Sequence, residues 1–489
     1  VKRSRTQYGS KAAFRFKRDG KLIEKTYIDL DNDVDALGTA LHDLGLKDSF
    51  ISVFAENRYE WGVAYFSIIN GTGVGVPLDK YLPANEVENL VVRGRVEAIF
   101  YSGNYHEMMI DFSKKKTSLK FFICMDDINL PPDDSRFILM SSLIKRGSEL
   151  VDKGDKRFTD AVIDNEKMSI LLFTSGTTMA SKGVMLSHKN IASNVASVSA
   201  HIELYPNDVH LSLLPLHHTF ENTIGLMFMI LSGITISYSE GIKHLVQNIR
   251  EFKVTILVGV PAIFEAIYSR VMDAIEKQGK TALVKKAAKV SNFLLKMGID
   301  VRRKLFKSVL DKLGPDLRLL VSGAAPINSE ILKGFENFGI TFLQGYGLTE
   351  TSPVISVTSF YQNTPGTVGI PVKDVEVTID NPDENGMGEI LTRGENVMLG
   401  YYENPEETSN VMEEDGWFRT GDLGVIDENG NLRITGRAKS MIVFTNGKKA
   451  FPEEYEVQLN VIPGVKESFV WGNKAPDGDI QVCAMIVID

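Results

Sequence analysis

A chain of 489 residues is long enough for two to four compact units, and its composition, 43% hydrophobic and 24% charged, is that of an ordinary globular protein. The formal net charge of −9 argues against a nucleic-acid-binding role for the whole chain, because such proteins carry a basic domain. Cys124 and Cys483 are too few for a disulfide framework, so we expect small buried side chains in a reducing compartment, the cytoplasm. The basic start of the sequence precedes no apolar segment, so we expect no signal peptide.

Short apolar segments rich in β-branched residues alternate with helical patterns over the first 340 residues. The predicted strands are 50–56, 98–103, 121–126, 169–176, 210–215, 254–260 and 317–323. This alternation favours an α/β fold in which parallel sheets carry helices on both faces. Ligands of such sheets bind beyond the carboxyl ends of the strands.

Two segments in this region raise the question of a membrane. The 18 residues 222–239 carry no charge, but Gly233 divides them, so we expect a buried helix and then a buried strand rather than a membrane span. Segment 271–312 holds eleven Lys or Arg against four Asp or Glu, with apolar residues at helical spacing. It predicts a basic amphipathic helical insert, for which a solvated helical hairpin is the more common form and peripheral contact with a membrane surface the alternative.

The pattern changes twice in the last third of the chain. From about residue 340 short strands and Gly or Asn turns predict a small β-rich unit. After Arg437 a strand, a turn, a helix beginning at Pro452 and two further strands predict a small α+β unit. We therefore expect a body over 1–436, with a β-rich subdomain over about 340–436, and a C-terminal domain over 437–489.

The stretch LLFTSGTTMASKGVMLSH, residues 171–188, places four hydroxyl side chains and one lysine directly after a predicted strand. Hydroxyls and free backbone N–H groups donate to phosphate oxygens, a glycine allows close approach, and a lysine adds a compact positive charge. The spacing differs from that of the usual P-loop. On local chemistry alone a phosphate cradle and a hydroxyl-rich turn are equally good interpretations.

Six further motifs follow in order: LPLHHTFE, GVPAIFE, SGAAP, QGYGLTETSP, GWFRTGDLG and ITGRAKSMIVFTNGKKAFPEEYE. With these motifs the sequence, over nearly its whole length, resembles the adenylate-forming superfamily of acyl-CoA synthetases and luciferase-like ligases. It is most similar to the long-chain fatty-acid-CoA ligase branch, because of GVPAIFEAIY and the basic helical insert that follows it.

The resemblance implies ATP- and Mg²⁺-dependent activation of a medium- or long-chain fatty acid to acyl-AMP, then transfer to coenzyme A to give acyl-CoA, AMP and pyrophosphate. Two alternatives stay open: a fatty acyl-AMP ligase that loads an acyl carrier protein, and a non-catalytic relative that binds nucleotide or fatty acid. The implied fold is a large body of several subdomains with a mobile α+β lid, whose hinge position is Lys439.

The resemblance also implies roles for individual residues in binding ATP. The β- and γ-phosphates would be held by Thr174, Ser175, Gly176, Thr177, Thr178 and Lys182. Thr349 would contact the α-phosphate, and Glu350 would hold Mg²⁺, an ion that prefers hard carboxylate oxygens. The adenine walls would be Gly323, Ala324, Ala325 and Pro326 on one side and Gln344, Gly345, Tyr346 and Gly347 on the other. Asp422 would accept hydrogen bonds from the ribose hydroxyls, with support from Arg437.

For the acid and the thiol the implied residues are fewer. His218, rather than the neighbouring His217, would orient the carboxylate, although a histidine beside an apolar segment is more often structural. Gly447 would lie near the pantetheine channel, and Lys448 and Lys449 either meet the CoA phosphates or are ordinary solvated lysines.

The sequence departs from the family's pattern at two places. Relatives read TSGTTGxPKG, whereas Met179 replaces the second glycine here and Ser181 the proline, so we expect the loop backbone to differ locally. The family's adenylation lysine lies in a Gly-Lys motif beyond the last strand of this sequence. We therefore expect an incomplete lid and a chain that binds ATP and acid but adenylates slowly.

Overall fold

The structure, a computed structural model, describes residues 1–174, 181–360, 363–444, 449–460, 462, 464–474 and 480–488. The strands in this part of the chain are β1 (Ala12–Arg18), β2 (Lys21–Thr26), β3 (Ser49–Phe54), β4 (Gly73–Pro77), β5 (Ala98–Tyr101), β6 (Phe121–Cys124), β7 (Phe137–Leu139), β8 (Met168–Thr174), β9 (Lys182–Ser187), β10 (Val209–Ser212), β11 (Thr235–Tyr238), β12 (Ile256–Gly259), β13 (Leu319–Ser322), β14 (Thr341–Gly347), β15 (Val354–Val357), β16 (Ile370–Pro371), β17 (Val375–Asp380), β18 (Gly388–Gly394), β19 (Gly400–Tyr401), β20 (Phe418–Ile426), β21 (Leu432–Arg437), β22 (Ile442–Val443), β23 (Lys449–Ala450), β24 (Val465–Lys474) and β25 (Ile480–Ile488).

The α-helices are α1 (Lys2–Tyr8), α2 (Tyr27–Asp43), α3 (Tyr59–Ile69), α4 (Ala84–Arg93), α5 (His106–Ser113), α6 (Met140–Asp152), α7 (His188–Ser199), α8 (Met229–Leu231), α9 (Leu245–Glu251), α10 (Pro261–Glu276), α11 (Thr281–Lys296), α12 (Arg302–Leu305), α13 (Lys307–Leu313), α14 (Ser329–Asn337), α15 (Pro405–Val411) and α16 (Pro452–Leu459). A π-helix covers Phe220–Phe228, and short 3₁₀ turns cover Gly103–Tyr105, Ile242–His244 and Thr349–Thr351. All seven predicted strands are present, with ends within three residues of the predicted ones.

Two large sheets form the body, and both are built around parallel strands. In the eight-stranded sheet, of order β19-β9-β8-β4-β3-β5-β6-β7, the six strands from β8 to β7 run parallel and β9 and β19 are added antiparallel. In the nine-stranded sheet, of order β16-β15-β14-β13-β12-β10-β11-β1-β2, the strands from β14 to β1 run parallel. The predicted α/β fold with parallel sheets is therefore confirmed. Central strands such as β5, β12 and β13 are buried along their whole length, as strands covered on both faces must be.

After residue 340 most strands of the body complete the nine-stranded sheet or form a separate antiparallel sheet, while β19 joins the eight-stranded sheet. β14, β15 and β16 complete the nine-stranded sheet, and the separate antiparallel sheet, of order β17-β18-β20-β21, begins at Val375. The chain beyond it forms the pair β22-β23, helix α16 with proline in its first turn, and the long antiparallel pair β24-β25. Cys124 is buried as expected, whereas Cys483, on β25, is only half-buried.

The uncharged segment 222–239 forms the last part of the π-helix, then α8, then β11, so a helix is followed by a buried strand as predicted. Within the described residues no helix is long and apolar enough to cross a membrane. The basic segment forms the end of α10 and the helices α11, α12 and α13. The predicted helical insert is therefore present.

Candidate active site

The predicted phosphate loop joins two antiparallel strands. β8 ends at Thr174 and β9 begins at Lys182, and these two residues lie opposite each other, with the Thr174 hydroxyl donating to the Lys182 carbonyl over 3.4 Å. The predicted residues Ser175, Gly176, Thr177 and Thr178, and the substituted Met179, lie outside the described residues, as does Gly447. The structure therefore tests the two ends of the loop and not its middle.

The Lys182 side chain is held by groups from a distant part of the sequence. Its Nζ lies 2.5 Å from Glu407 Oε2 at the start of α15, and 4.8 Å from the centre of the Tyr401 ring. Lys182 lowers the pKa of the Glu407 carboxyl, chiefly through this hydrogen bond, and the charge of Lys439 lowers it further. The ion pair therefore persists at neutral pH.

Tyr401 joins the predicted phosphate lysine to the predicted metal ligand. Its hydroxyl donates to Glu350 Oε1 over 2.9 Å, while its ring lies under the Lys182 ammonium. The ring is placed there because β19 pairs with β9, with Tyr401 opposite Val184. Burial and the neighbouring Glu350 carboxylate raise the pKa of Tyr401, so the phenol stays protonated and remains a donor.

Thr349 and Glu350 lie on the 3₁₀ turn that follows β14. The Met398 N–H donates to the Glu350 carbonyl over 2.8 Å, and the Leu348 N–H donates to Thr351 Oγ1 over 3.0 Å. Directly before the turn, a Cβ on Gly347 would lie 1.7 Å from the Pro353 carbonyl oxygen, so only glycine fits there. The turn is therefore fixed at both ends.

The two predicted adenine walls are neighbours because β13 and β14 pair in parallel, with Ser322 opposite Gln344. Gly323 is buried, and a Cβ there would meet the Phe220 ring at 3.0 Å, whereas Ala324, Ala325 and Pro326 are exposed to solvent. Ala324 has a left-handed φ of 70°, which turns the chain sharply away from the strand.

On the opposite wall Gln344 is anchored rather than free. Its N–H donates to Thr358 Oγ1 over 2.8 Å, and its Nε2 donates to the Thr367 carbonyl over 3.4 Å. The next two residues, Gly345 and Tyr346, are half-buried at the end of the same strand. These contacts hold Gln344 in place on this wall.

Asp422, Tyr346 and Arg437 form a second polar cluster. The Tyr346 hydroxyl donates to Asp422 Oδ2 over 2.7 Å, and Arg437 Nε lies 3.4 Å from Asp422 Oδ1. Asp422 and Arg437 face each other across β20 and β21. Burial raises the pKa of Asp422 and the bond from Tyr346 opposes the rise, while the charge of Glu350 adds to it.

Lys439 lies two residues beyond the end of β21 and is exposed. Its charge acts on Glu407, the acid that also binds Lys182. The predicted hinge residue is thus part of the electrostatic surroundings of the phosphate lysine, although whether it acts as a hinge stays a prediction.

His217 and His218 lie in the loop after β10, at the edge of the sheet where β12, β13 and β14 also end. Their ring centres are 4.0 Å apart, and His217 Nε2 is 3.8 Å from Asp79 Oδ2. Burial, and then the neighbouring His218, lower the pKa of His217 to about 4, so this imidazole is neutral at pH 7. His218 is the more exposed of the two, and its predicted role in orienting the acid stays a prediction.

Three residues of the site were not found from the sequence: Tyr401, Glu407 and Arg93. Arg93, at the end of α4, donates from Nη2 to the Ser181 carbonyl over 2.6 Å, and its guanidinium lies 5.3 Å from the centre of the Phe173 ring. It thus contacts the chain on both sides of the phosphate loop. A cavity of about 470 Å³ opens beside these groups; its lining includes Arg93, Phe173, Lys182, Tyr401, Asn404 and Glu407.

The described residues contain no cluster of three or more His, Cys, Asp or Glu able to hold a metal by themselves. Glu350, the predicted metal ligand, is half-buried and accepts a hydrogen bond from the Tyr401 hydroxyl.

An α/β body with two parallel sheets, and a lysine, hydroxyls and carboxylates gathered where strands end, defines a nucleotide-binding class of protein. The family described as AMP-binding enzyme matches residues 1–402, and the chain belongs to this family. It is 31% identical over 478 residues to long-chain-fatty-acid–CoA ligase 5 of Rattus norvegicus, covering 91% of this chain and 69% of that one.

Two solved structures share the fold. The anthranilate CoA ligase AuaEII in complex with anthranoyl-AMP has a TM-score of 0.80 at 19% identity, covering 100% of this chain and 85% of that one. ATP-bound MatB from Rhodopseudomonas palustris has a TM-score of 0.75 at 23% identity, covering 98% and 86%.

Proposed function

We propose that this protein is an AMP-forming acid–thiol ligase that activates a medium- or long-chain fatty acid with ATP and passes the acyl group to coenzyme A. The products are acyl-CoA, AMP and pyrophosphate. The observation that carries the proposal is that Tyr401 contacts both Lys182 and Glu350. Its ring lies against the proposed phosphate-binding lysine, and its hydroxyl donates to the proposed metal-binding carboxylate. The rat relative that bears the name of long-chain-fatty-acid–CoA ligase supports the choice of acid and of thiol.

In the first step the fatty-acid carboxylate oxygen attacks the α-phosphorus of ATP and pyrophosphate leaves. Both reactants are anions, so the residues of the site act mainly by alignment and charge neutralisation. Lys182 and the loop hydroxyls would bind the β- and γ-phosphates, and Thr349 would donate to the α-phosphate. Mg²⁺ held by Glu350 would neutralise charge on the phosphates.

The nucleoside would be held by the polar cluster and the two walls. Asp422 would accept from the ribose hydroxyls, with Arg437 beside it, and adenine would lie between the wall at Gly323 and the ring of Tyr346. Ser322 Oγ, at the base of that wall, is buried without a hydrogen-bond partner in the described part of the chain. A buried hydroxyl in this state is a group that a ligand can satisfy.

In the second step the thiol sulfur attacks the acyl carbonyl, the thiol proton passes to solvent, and AMP leaves with the bonding electron pair. His218 would orient the acid in the first step. Gly447 would lie near the thiol in the second, after the lid turns about Lys439.

The decisive assay is pyrophosphate release by the full-length protein with ATP, Mg²⁺ and acids from acetate to stearate, each with and without CoA. Release that is sustained only with CoA and is greatest with long acids supports the proposal. A different outcome is a single burst of pyrophosphate that is prolonged by phosphopantetheinylated carrier protein and not by CoA. That result would indicate that the acyl group passes from acyl-AMP to a carrier protein instead. ATP binding without pyrophosphate release with any acid would indicate a non-catalytic protein that binds nucleotide.

A pair of matched variants ties the activity to this site. Glu350→Gln should lower kcat/KM for ATP by at least about 100-fold, because a carboxylate that acts on the transferring phosphates is lost. Glu384→Gln removes the same charge from an exposed turn between β17 and β18 and should leave the rate unchanged. Equal rates in the two variants would exclude Glu350 from the reaction.

We also propose that the protein works in the cytoplasm, at the periphery of a membrane that segment 271–312 contacts. A bilayer is where long-chain fatty acids accumulate, so contact there would bring the site close to its substrate.

A further inference from the structure

Helix α11 (Thr281–Lys296) presents three different faces. The inward face packs on the body through Val284, Ala287 and Ala288, and Ser291 on the same side is fully buried. The rest of the helix lies in solvent, and apart from Lys286 its apolar and basic residues form two separate stripes there.

One outward stripe is apolar. Leu283, Val290, Phe293 and the following Met297 are 63%, 48%, 64% and 63% exposed. Their spacing of seven, three and four residues places them on one side of a helix. A phenylalanine this exposed, with three large apolar neighbours, marks an interaction surface rather than a chance exposure.

A basic stripe runs beside the apolar one. Lys285, Lys289 and Lys296 recur at four- and seven-residue spacing, and Lys286 lies within the apolar stripe. All four are exposed, α11 itself contains no acidic residue, and none of these lysines forms an ion pair within the described residues. In contrast, Arg302 and Lys307 further along the segment are paired with Asp300 and Asp311. Four cations that form no ion pair in the described part of the chain therefore lie on this one helix.

The apolar and basic stripes of α11 together indicate the kind of partner that this face binds. Phosphates of a nucleic acid match the lysines but offer nothing to the Phe293 stripe, and an apolar protein groove offers nothing to four lysines. An anionic bilayer matches both, because its headgroups attract lysines while its acyl boundary accepts the apolar side chains of a helix lying in its plane.

We propose that the outward face of α11 docks on an anionic phospholipid surface, with Leu283, Val290, Phe293 and Met297 entering the acyl boundary and the flanking lysines at the headgroups. This inference deepens the proposed peripheral contact with a membrane. It rests on the proposed function only for the benefit of docking, which is access to fatty acids in the bilayer. Docking needs neither ATP nor fatty acid, so its failure and a failure of catalysis are separate results.

The test is co-sedimentation of the full-length protein with vesicles of phosphatidylcholine alone or mixed with phosphatidylserine, without substrates. The wild type should bind only the mixed vesicles. Raising NaCl from about 0.1 M to about 1 M shortens the Debye length from about 10 Å to about 3 Å and should release most of it. The variant Lys285→Gln, Lys286→Gln, Lys289→Gln should bind about 100-fold more weakly, at about fivefold per lysine.

A matched control variant and a second measurement distinguish docking through α11 from a nonspecific effect of the protein's positive charges. Lys145→Gln, Lys153→Gln, Lys156→Gln removes three exposed lysines on and just after α6 and should bind as the wild type does. In Phe293→Trp the tryptophan emission, compared with that of the wild type, should shift to the blue when mixed vesicles are added.

The following results would overturn the proposal. These are no binding by the wild type, equal losses in the two triple variants, or an unshifted emission in Phe293→Trp while the protein is bound. Binding to duplex DNA in place of vesicles would also overturn it.

Discussion

Replacing Glu407 with glutamine should make ATP bind more tightly. The Glu407 carboxylate lies 2.5 Å from the Nζ of Lys182, the group that the proposed function assigns to the phosphates. ATP must therefore displace this carboxylate before Lys182 can bind it. In Glu407→Gln the neutral amide competes much less well for the ammonium.

The size of the effect follows from the exposure of the pair. The Lys182 and Glu407 side chains are 23% and 40% exposed, so the interaction is screened and is worth about 0.2–1 kcal/mol. That energy corresponds to a fall in KM for ATP of about 1.4- to 5-fold, since a tenfold change is about 1.4 kcal/mol. Because the pKa of Glu407 is lowered, the pair is fully formed above the usual pKa of glutamate and is lost only as pH falls through the lowered value. The effect should therefore be constant between about pH 6 and pH 8.

Glu406→Gln is the matched control. Glu406 lies beside Glu407 in the first turn of α15, so both changes remove one favourable interaction with the helix N-terminus, about 0.3–1 kcal/mol. Glu406 is exposed, and Lys182 pairs with Glu407 instead. Glu407→Gln should lose the stability that Glu406→Gln loses in thermal unfolding, and up to about 1 kcal/mol more for the ion pair with Lys182. Only Glu407→Gln should lower KM for ATP, with kcat nearly unchanged. A KM that is unchanged or raised in Glu407→Gln would refute the reasoning.

Three other variants probe the supports of the site. Tyr346→Phe removes a hydrogen bond that lowers the pKa of Asp422, so the acid limb of the pH–rate profile should move to higher pH and KM for ATP should rise about tenfold. Arg93→Ala should raise KM for ATP about tenfold with little change in kcat, because a charge-assisted bond beside the phosphate loop is lost. Gly347→Ala should lower the free energy of unfolding by about 3 kcal/mol or more, measured by denaturant unfolding, since its Cβ would overlap a carbonyl oxygen.

For each of these variants, a particular result would contradict the expectation. A pH–rate profile unmoved in Tyr346→Phe would separate Asp422 from nucleotide binding. Arg93→Lys should recover part of the affinity lost in Arg93→Ala, and equal losses in both would argue against a role for the positive charge. Gly345→Ala, whose Cβ would meet nothing closer than 3.6 Å, should be far less destabilised than Gly347→Ala.

The sequence was sufficient to predict candidate site residues where the chemical groups and the strand that positions them lie in one stretch of chain. Lys182 could be placed because it closes a hydroxyl-rich loop after a buried strand, and strand ends are where α/β sheets bind ligands. Gln344 and Gly323 could be paired only through the resemblance. Their proximity depends on the parallel pairing of β13 with β14, which no local pattern encodes.

Long-range contacts account for most of what was missed. Glu407 is 225 positions from Lys182, and the Arg93 side chain meets the carbonyl of Ser181 from 88 positions away. An isolated arginine at a helix end, or an acid after Asn404-Pro405, looks like an ordinary surface residue. The same limit explains why β14–β16 could not be assigned to the nine-stranded sheet, since their short strands and glycine turns resemble those of the antiparallel sheet that follows.

Each charged group of the predicted nucleotide site already has a partner within the chain. Lys182 is neutralised by Glu407, Glu350 accepts from Tyr401, and Asp422 accepts from Tyr346. Such pairs hold side chains in place at little electrostatic cost, because no charge is left isolated in a half-buried cleft. They also mean that ATP and its metal bind by exchange, taking Lys182 from Glu407 and adding a cation beside Glu350. The affinity for nucleotide is therefore set by the difference between two sets of ion pairs, which is why removing an acid that touches no substrate should tighten binding.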